Sequence, residues 1–298
     1  MTPLPQRQTY AERIEAELDA IAASYADILA ASNIEYVNPN RPGASAIFVG
    51  AADWGWADSD DKLEAARMKL LRRLREWTPR FRLLFAHPTP QVTERLLEGI
   101  DHLERWLIRD GGWDHDIPQT IDAAQDKIQA TVADLHALTN LLPVDEYPIR
   151  LVVDTNALID NPDLAAYTGE LGKKYVVHLM PVVLGEIDNL KRAGRAEDLR
   201  EKARRAERRL KGIRSNGDVR EGVRVEGDVI AKFEHTEPRS EDLPHWLDMS
   251  VADDRFVAAA LLLQSEHPGS SIYAGTSDIN MQTKLSAVGL PFVEPPPF

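Results

Sequence analysis

Apolar residues recur every three or four positions through most of the chain up to Leu142. In Gln8–Ser32 they fall at Ile14, Leu18, Ile21, Tyr25, Ile28 and Leu29, the 3.6-residue period of a helix with one buried face. Asn33–Asp58 breaks this pattern with Asn-Pro-Asn, Pro-Gly and Ala-Asp-Trp-Gly-Trp, and is predicted as a loop. Ser59 or Asp60 can cap a second helix running to about Phe85. Thr89-Pro90 sets a cap before proline at the first helical position, and that helix is predicted to stop at Gly111-Gly112. A further periodic stretch runs from about Pro118 to Leu142. Together these predict a helical bundle.

The pattern changes across Leu142–Pro148, which carries two prolines and two acids. A mainly helical domain over residues 1–145 and a second domain over 146–298 are therefore expected. In the second, predicted strands at Ile149–Val153, Tyr175–Met180, Ser271–Ala274 and Pro291–Val293 alternate with predicted helices. The helices begin near Ala157 and cover Val183–Lys191, Glu197–Ile213, Val251–Ser265 and Ile279–Ala287. Val223–Val225 and Asp228–Phe233 read as two small strands without an assigned place. Such alternation predicts an α/β domain, a parallel sheet flanked by helices.

Composition narrows the chemistry. Of 298 residues 43% are hydrophobic and 28% charged, ordinary for a globular protein. The absence of cysteine excludes disulfides, thiolate zinc sites and cysteine nucleophiles. The N-terminus lacks the basic start and apolar core of a secretion signal. The longest apolar run, Phe256–Leu263, is far short of the ~20 residues that a membrane helix needs. A cytoplasmic protein without a membrane partner is expected. The net charge of -13 argues against a surface that coats nucleic acid. Yet Lys191–Arg214 holds eleven Lys/Arg against four Asp/Glu, a local +7 that leaves -20 on the rest. One basic patch on an acidic body suggests a local anion site.

Open parallel sheets collect function at the carboxyl ends of their strands. Asp154 directly follows one predicted strand, and Asp278 follows another. Glu186 lies in the helix after Tyr175–Met180, and Asp254 in the first turn of the Val251–Ser265 helix. Magnesium and manganese prefer such oxygen ligands, and metal ions assist phosphodiester hydrolysis by neutralising phosphate and activating water. Each acid alone has a plainer reading. Asp154 and Asp278 can be helix caps, Asp253 and Asp254 a first turn that suits the helix dipole, and Glu186 a solvated position.

At these positions the sequence resembles the PIN-domain ribonucleases. Leu151–Asp160 looks like the family's first strand and acid, Val182–Lys191 like the second motif, Asp254–Ala260 like the third, and Tyr273–Asn280 like the fourth with its Thr-x-Asp core. Lys284–Pro291 resembles the close of the domain. The basic helix around Arg200–Ala206 resembles the larger members related to PhoH-like proteins and eukaryotic RNA-decay factors. The resemblance implies an endoribonuclease in which Asp154, Glu186, Asp254 and Asp278 hold Mg2+ or Mn2+. Asp253 takes the third role if the register shifts by one, and Asn156, Thr276 and Asn280 orient ligands or phosphate. It also leaves room for a toxin-like role and a homodimer.

Lys191, Arg192, Arg195 and Arg204 are the candidate RNA contacts, weighed against a solvated face with pairs such as Glu201–Arg205. Trp54, Trp56, Trp77, Trp106 and Trp113 are expected to fill a core rather than stack on bases. The helical half resembles no family; it could regulate the nuclease or bind a protein partner. Three rivals stand beside the ribonuclease: a catalytically silent RNA- or protein-binding module, a structure-specific DNA nuclease, and a haloacid-dehalogenase-type phosphatase. The last would want an acid where Asn156 stands.

Overall fold

The computed structural model describes residues 8–37, 53–85, 87–109, 115–193, 196–239, 243–244 and 246–297. Two compact units emerge, one of Ala11–Leu142 and one built on Pro143–Phe298.

The first unit contains helices α1 (Tyr10–Ala30), α2 (Asp61–Leu83), α3 (Pro90–Ile108) and α4 (Ile121–Thr139) and strands β1 (Ile34–Val37) and β2 (Asp53–Trp56). The two strands correct the expectation of a plain loop over Asn33–Asp58. They pair antiparallel, Tyr36 opposite Trp54, and the two rings meet edge to face with centroids 5.8 Å apart. Cross-strand aromatic contacts of this kind stabilise a short ribbon. Asp60 caps α2 by accepting from the Leu63 N–H at 2.7 Å, and Thr120 caps α4. Helix α3 ends at Ile108; Gly111, Gly112 and Trp113 lie outside the described residues. Trp77 and Trp106 are fully buried, as expected of core tryptophans. The Trp77 indole N–H also donates to the Ile14 carbonyl at 2.9 Å, tying α2 to α1.

The second unit is α/β. In chain order it runs β3 (Ile149–Val153), α5 (Thr155–Asp160), α6 (Thr168–Leu171), β4 (Lys174–Leu179), α7 (Pro181–Ala193), α8 (Glu197–Ser215), β5 (Val223–Glu226), β6 (Asp228–Phe233), α9 (Ala252–Glu266), β7 (Ser271–Gly275), α10 (Ile279–Ala287) and β8 (Phe292–Val293). The sheet order is β5-β6-β4-β3-β7-β8, parallel throughout except for β5, which pairs antiparallel with β6. The two small strands thus form a hairpin that extends the sheet beyond β4. Its turn needs Gly227, whose φ is 53°. Strand β3 is buried at every position, in keeping with an apolar run covered on both faces. Its neighbours β4 and β7 lie on opposite sides of it, which makes β3 the point where the chain's direction of travel across the sheet reverses. A crevice opens at the carboxyl ends of strands at such a point.

Candidate active site

A cleft of about 310 Å³ lies at those ends, near the lower end of the ~300–1,000 Å³ usual for ligand sites. Its polar lining is Asp154, Thr155, Asn156, Glu186, Asn189, Asp253 and Asp278, and Val182, Val183, Leu190, Phe256 and Met281 supply an apolar wall.

Each carboxylate is held by its local sequence. Asp154 follows β3 and caps α5, accepting from the Ala157 N–H at 2.6 Å. Asp278 follows β7 and caps α10, accepting from the Met281 N–H at 3.0 Å. Both acids therefore are caps, and both also face the cleft; the plain reading and the functional one are compatible. The buried Thr276 hydroxyl bonds to the Asp154 carboxylate and accepts from the Asp278 N–H at 3.1 Å, so one side chain locates both acids. The Thr155 hydroxyl donates to Glu186, linking α5 to α7. Burial raises the Asp154 pKa; hydrogen bonds from Thr276 and Ala157 oppose this, and the nearby charges of Asp278 and Glu186 push it further up. A cation entering the cleft would relieve that repulsion.

From the third motif the cleft takes Asp253, and Asp254 turns elsewhere. Asp254 accepts from the Asp248 N–H at 2.9 Å, and its other oxygen lies 2.7 Å from the Lys284 ammonium. Burial would raise its pKa, but Lys284 and the Asp248 N–H outweigh burial and hold it below the usual carboxylate value. Asp253 lies 3.6 Å from the same ammonium and receives the Asn280 amide at 3.5 Å. Asn156 lines the cleft in the open, whereas Thr276 is wholly buried and acts on the acids rather than on a ligand.

Among the described residues no three His, Asp or Glu side chains stand close enough to enclose an ion by themselves. The donor set still suits Mg2+ or Mn2+, because it is all oxygen. Mg2+ in particular usually keeps several waters and is held through one or two carboxylates.

The basic segment is largely engaged internally. Lys191 pairs with Glu207 at 2.6 Å and Asp188 at 3.0 Å, Lys202 with Asp160 at 3.0 Å, and Arg204 with Glu197 at 3.4 Å. Arg192 is exposed at the end of α7, with no ion pair among the described residues, and Arg195 lies outside them. Thr155 and Asn189 line the candidate cleft and Lys284 pairs with Asp253 and Asp254, and sequence reasoning singled out none of the three for the site. Thr155 was legible only as part of a cap, and nothing in the sequence marked the other two.

Among the described residues no helix is long and apolar enough to cross a membrane. Residues 151–294 match the family model of the PIN domain, so the C-terminal half of the chain is a PIN domain, a family whose members are usually metal-dependent nucleases. The helical half lies outside the match. No curated protein matches the sequence.

Proposed function

We propose that this PIN domain is a metal-dependent endoribonuclease and that the cleft beside β3 is its active centre. The observation that carries the reading is the convergence of Asp154, Glu186, Asp253 and Asp278, from four separate elements, on one cleft. Crowded carboxylates repel and stay ionised only when a cation offsets them, and a phosphodiester adds more negative charge. Bound Mg2+ or Mn2+ would neutralise the phosphate and lower the pKa of a water for attack.

The chain's own residues supply the preorganisation. Thr276 and the Ala157 N–H fix Asp154, the Met281 N–H fixes Asp278, and Thr155 fixes Glu186. Carboxylates locked in this way would hold a bound cation without reorganising as negative charge develops on the phosphoryl oxygens. Val182, Val183, Leu190, Phe256 and Met281 give a ribose or base an apolar wall to rest on. Exposed Arg192, in the last turn of the helix that carries Glu186, is read as a contact to the RNA backbone, which would add affinity without sequence choice.

A silent RNA-binding PIN domain is the second reading, favoured by the neutralisation of Asp254 by Lys284. The test is cleavage of labelled single-stranded RNA, matched DNA and duplexes with magnesium, manganese or a chelator. Metal-dependent cutting of RNA supports the proposal. DNA-only cutting keeps the centre and overturns the substrate. Binding without cutting favours the silent module.

A further inference from the structure

The third acidic motif contributes two adjacent carboxylates that behave differently. Asp253 has a side chain 43% exposed, lines the cleft and lies farther from the Lys284 ammonium, at 3.6 Å. Asp254, at 10% exposed, has both oxygens engaged, one by the Asp248 N–H at 2.9 Å and one by the Lys284 ammonium at 2.7 Å. Met281 and Leu285 on the same helix are buried and fix α10 in place, so the 21% exposed Lys284 side chain springs from a held backbone. Were its ammonium to swing away, Asp254 would be left as a nearly buried carboxylate without a cation, which is costly. A divalent ion approaching Asp254 would also meet a fixed positive charge, and in a partly buried site that repulsion is weakly screened.

We propose that Lys284 is a built-in counter-ion that withholds Asp254 from a bound metal, leaving Asp253 as the third-motif ligand and the centre with a single divalent ion. The inference rests on the nuclease reading above and adds which acids serve and how many ions enter.

The test is Mn2+ binding to the full chain, followed by titration calorimetry and by the spin-resonance signal of free Mn2+. The wild type is expected to bind one ion. Asp254→Asn should keep its affinity within about threefold, whereas Asp253→Asn should lose at least roughly 10–100-fold, the loss that even outer-shell partners of a metal site cause. Lys284→Met should bind Mn2+ more tightly or take up a second ion. The double variant Lys284→Met/Asp254→Asn should return to one ion with near wild-type affinity, which also guards against a misfolded single variant. Two ions in the wild type overturn the proposal. So does a loss confined to Asp254→Asn, or a Lys284→Met protein unchanged in both respects. If those results come with intact metal-dependent RNA cleavage, the nuclease reading survives without this inference. A wild type that neither binds Mn2+ nor cuts RNA overturns both.

Discussion

The Thr155 hydroxyl donates to the Glu186 carboxylate, joining the residue after the first acid to the acid of the second motif. Thr155 is buried and Glu186 half-buried, so the bond sets the direction of the carboxylate at the cleft wall. Thr155→Val keeps the shape and removes the donor. The turnover rate on RNA is expected to fall about 10–100-fold, with RNA affinity unchanged and stability lowered by about 1 kcal/mol. Thr155→Ser should restore most of the rate. Single-turnover kinetics beside an RNA binding curve separate these quantities.

Behind the site, Gly275 closes β7 against Tyr167. A Cβ there would stand 2.9 Å from the Tyr167 hydroxyl oxygen and 3.2 Å from Val153. Gly275→Ala is expected to destabilise the protein by ~1–3 kcal/mol through overpacking. The Tyr167 hydroxyl is buried without a hydrogen-bond partner among the described residues. Adding Tyr167→Phe should therefore recover part of the loss, and urea denaturation of the single and double variants measures the coupling.

A buried imidazole makes stability depend on pH. His178 is fully buried; its Nε2 accepts from Arg150 at 3.0 Å and its Nδ1–H donates to Glu234 at 2.7 Å, which requires the neutral ring. Burial lowers its pKa to about 4; the Glu234 hydrogen bond opposes this, and the charges of Arg150 and His267 add to the lowering. The unfolded chain takes up this proton near the ordinary ~6.5. The stability tied to the neutral ring is thus complete above ~6.5 and is lost as pH falls towards 4, on the order of 3 kcal/mol across the window. His178→Gln can keep both hydrogen bonds without titrating. Urea midpoints between pH 7 and 4 should fall for the wild type and fall less for that variant.

The basic segment should contribute to RNA binding unevenly. Lys191 is held by Glu207 and Asp188, whereas Arg192 is exposed and has no ion pair among the described residues. Arg192→Ala is expected to weaken RNA binding severalfold in the presence of a chelator and to reduce the salt slope by about one. Arg204→Ala, which removes a partner of Glu197 rather than of a phosphate and leaves Glu197 paired with Arg200, should change it less.

Much of the second unit was legible because its strands are continuous apolar runs bounded by turns, and its helices carry a clear 3.6-residue pattern. Asp154, Glu186 and Asp278 could be picked out because each follows a strand or lies one turn into the next helix. The choice between Asp253 and Asp254 was not legible. They are neighbours on one helical turn, and only Lys284 on a different helix and the Asp248 N–H decide which faces the cleft. The ribbon of β1 and β2 escaped for a related reason. Each strand is four residues long, and the Tyr36–Trp54 contact that favours pairing joins positions far apart in sequence. The Arg150–His178–Glu234 chain was equally hidden, since it depends on strand register.

The most direct measurement compares single-turnover RNA cleavage by the wild type and by Asp154→Asn, with thermal unfolding of both in chelator. Asparagine still caps α5 and no longer adds a buried negative charge beside Asp278 and Glu186. The account predicts that cleavage falls at least about 100-fold while the unfolding temperature in chelator stays the same or rises. Cleavage that persists in the variant, or a wild type that cuts equally well in chelator, would contradict it.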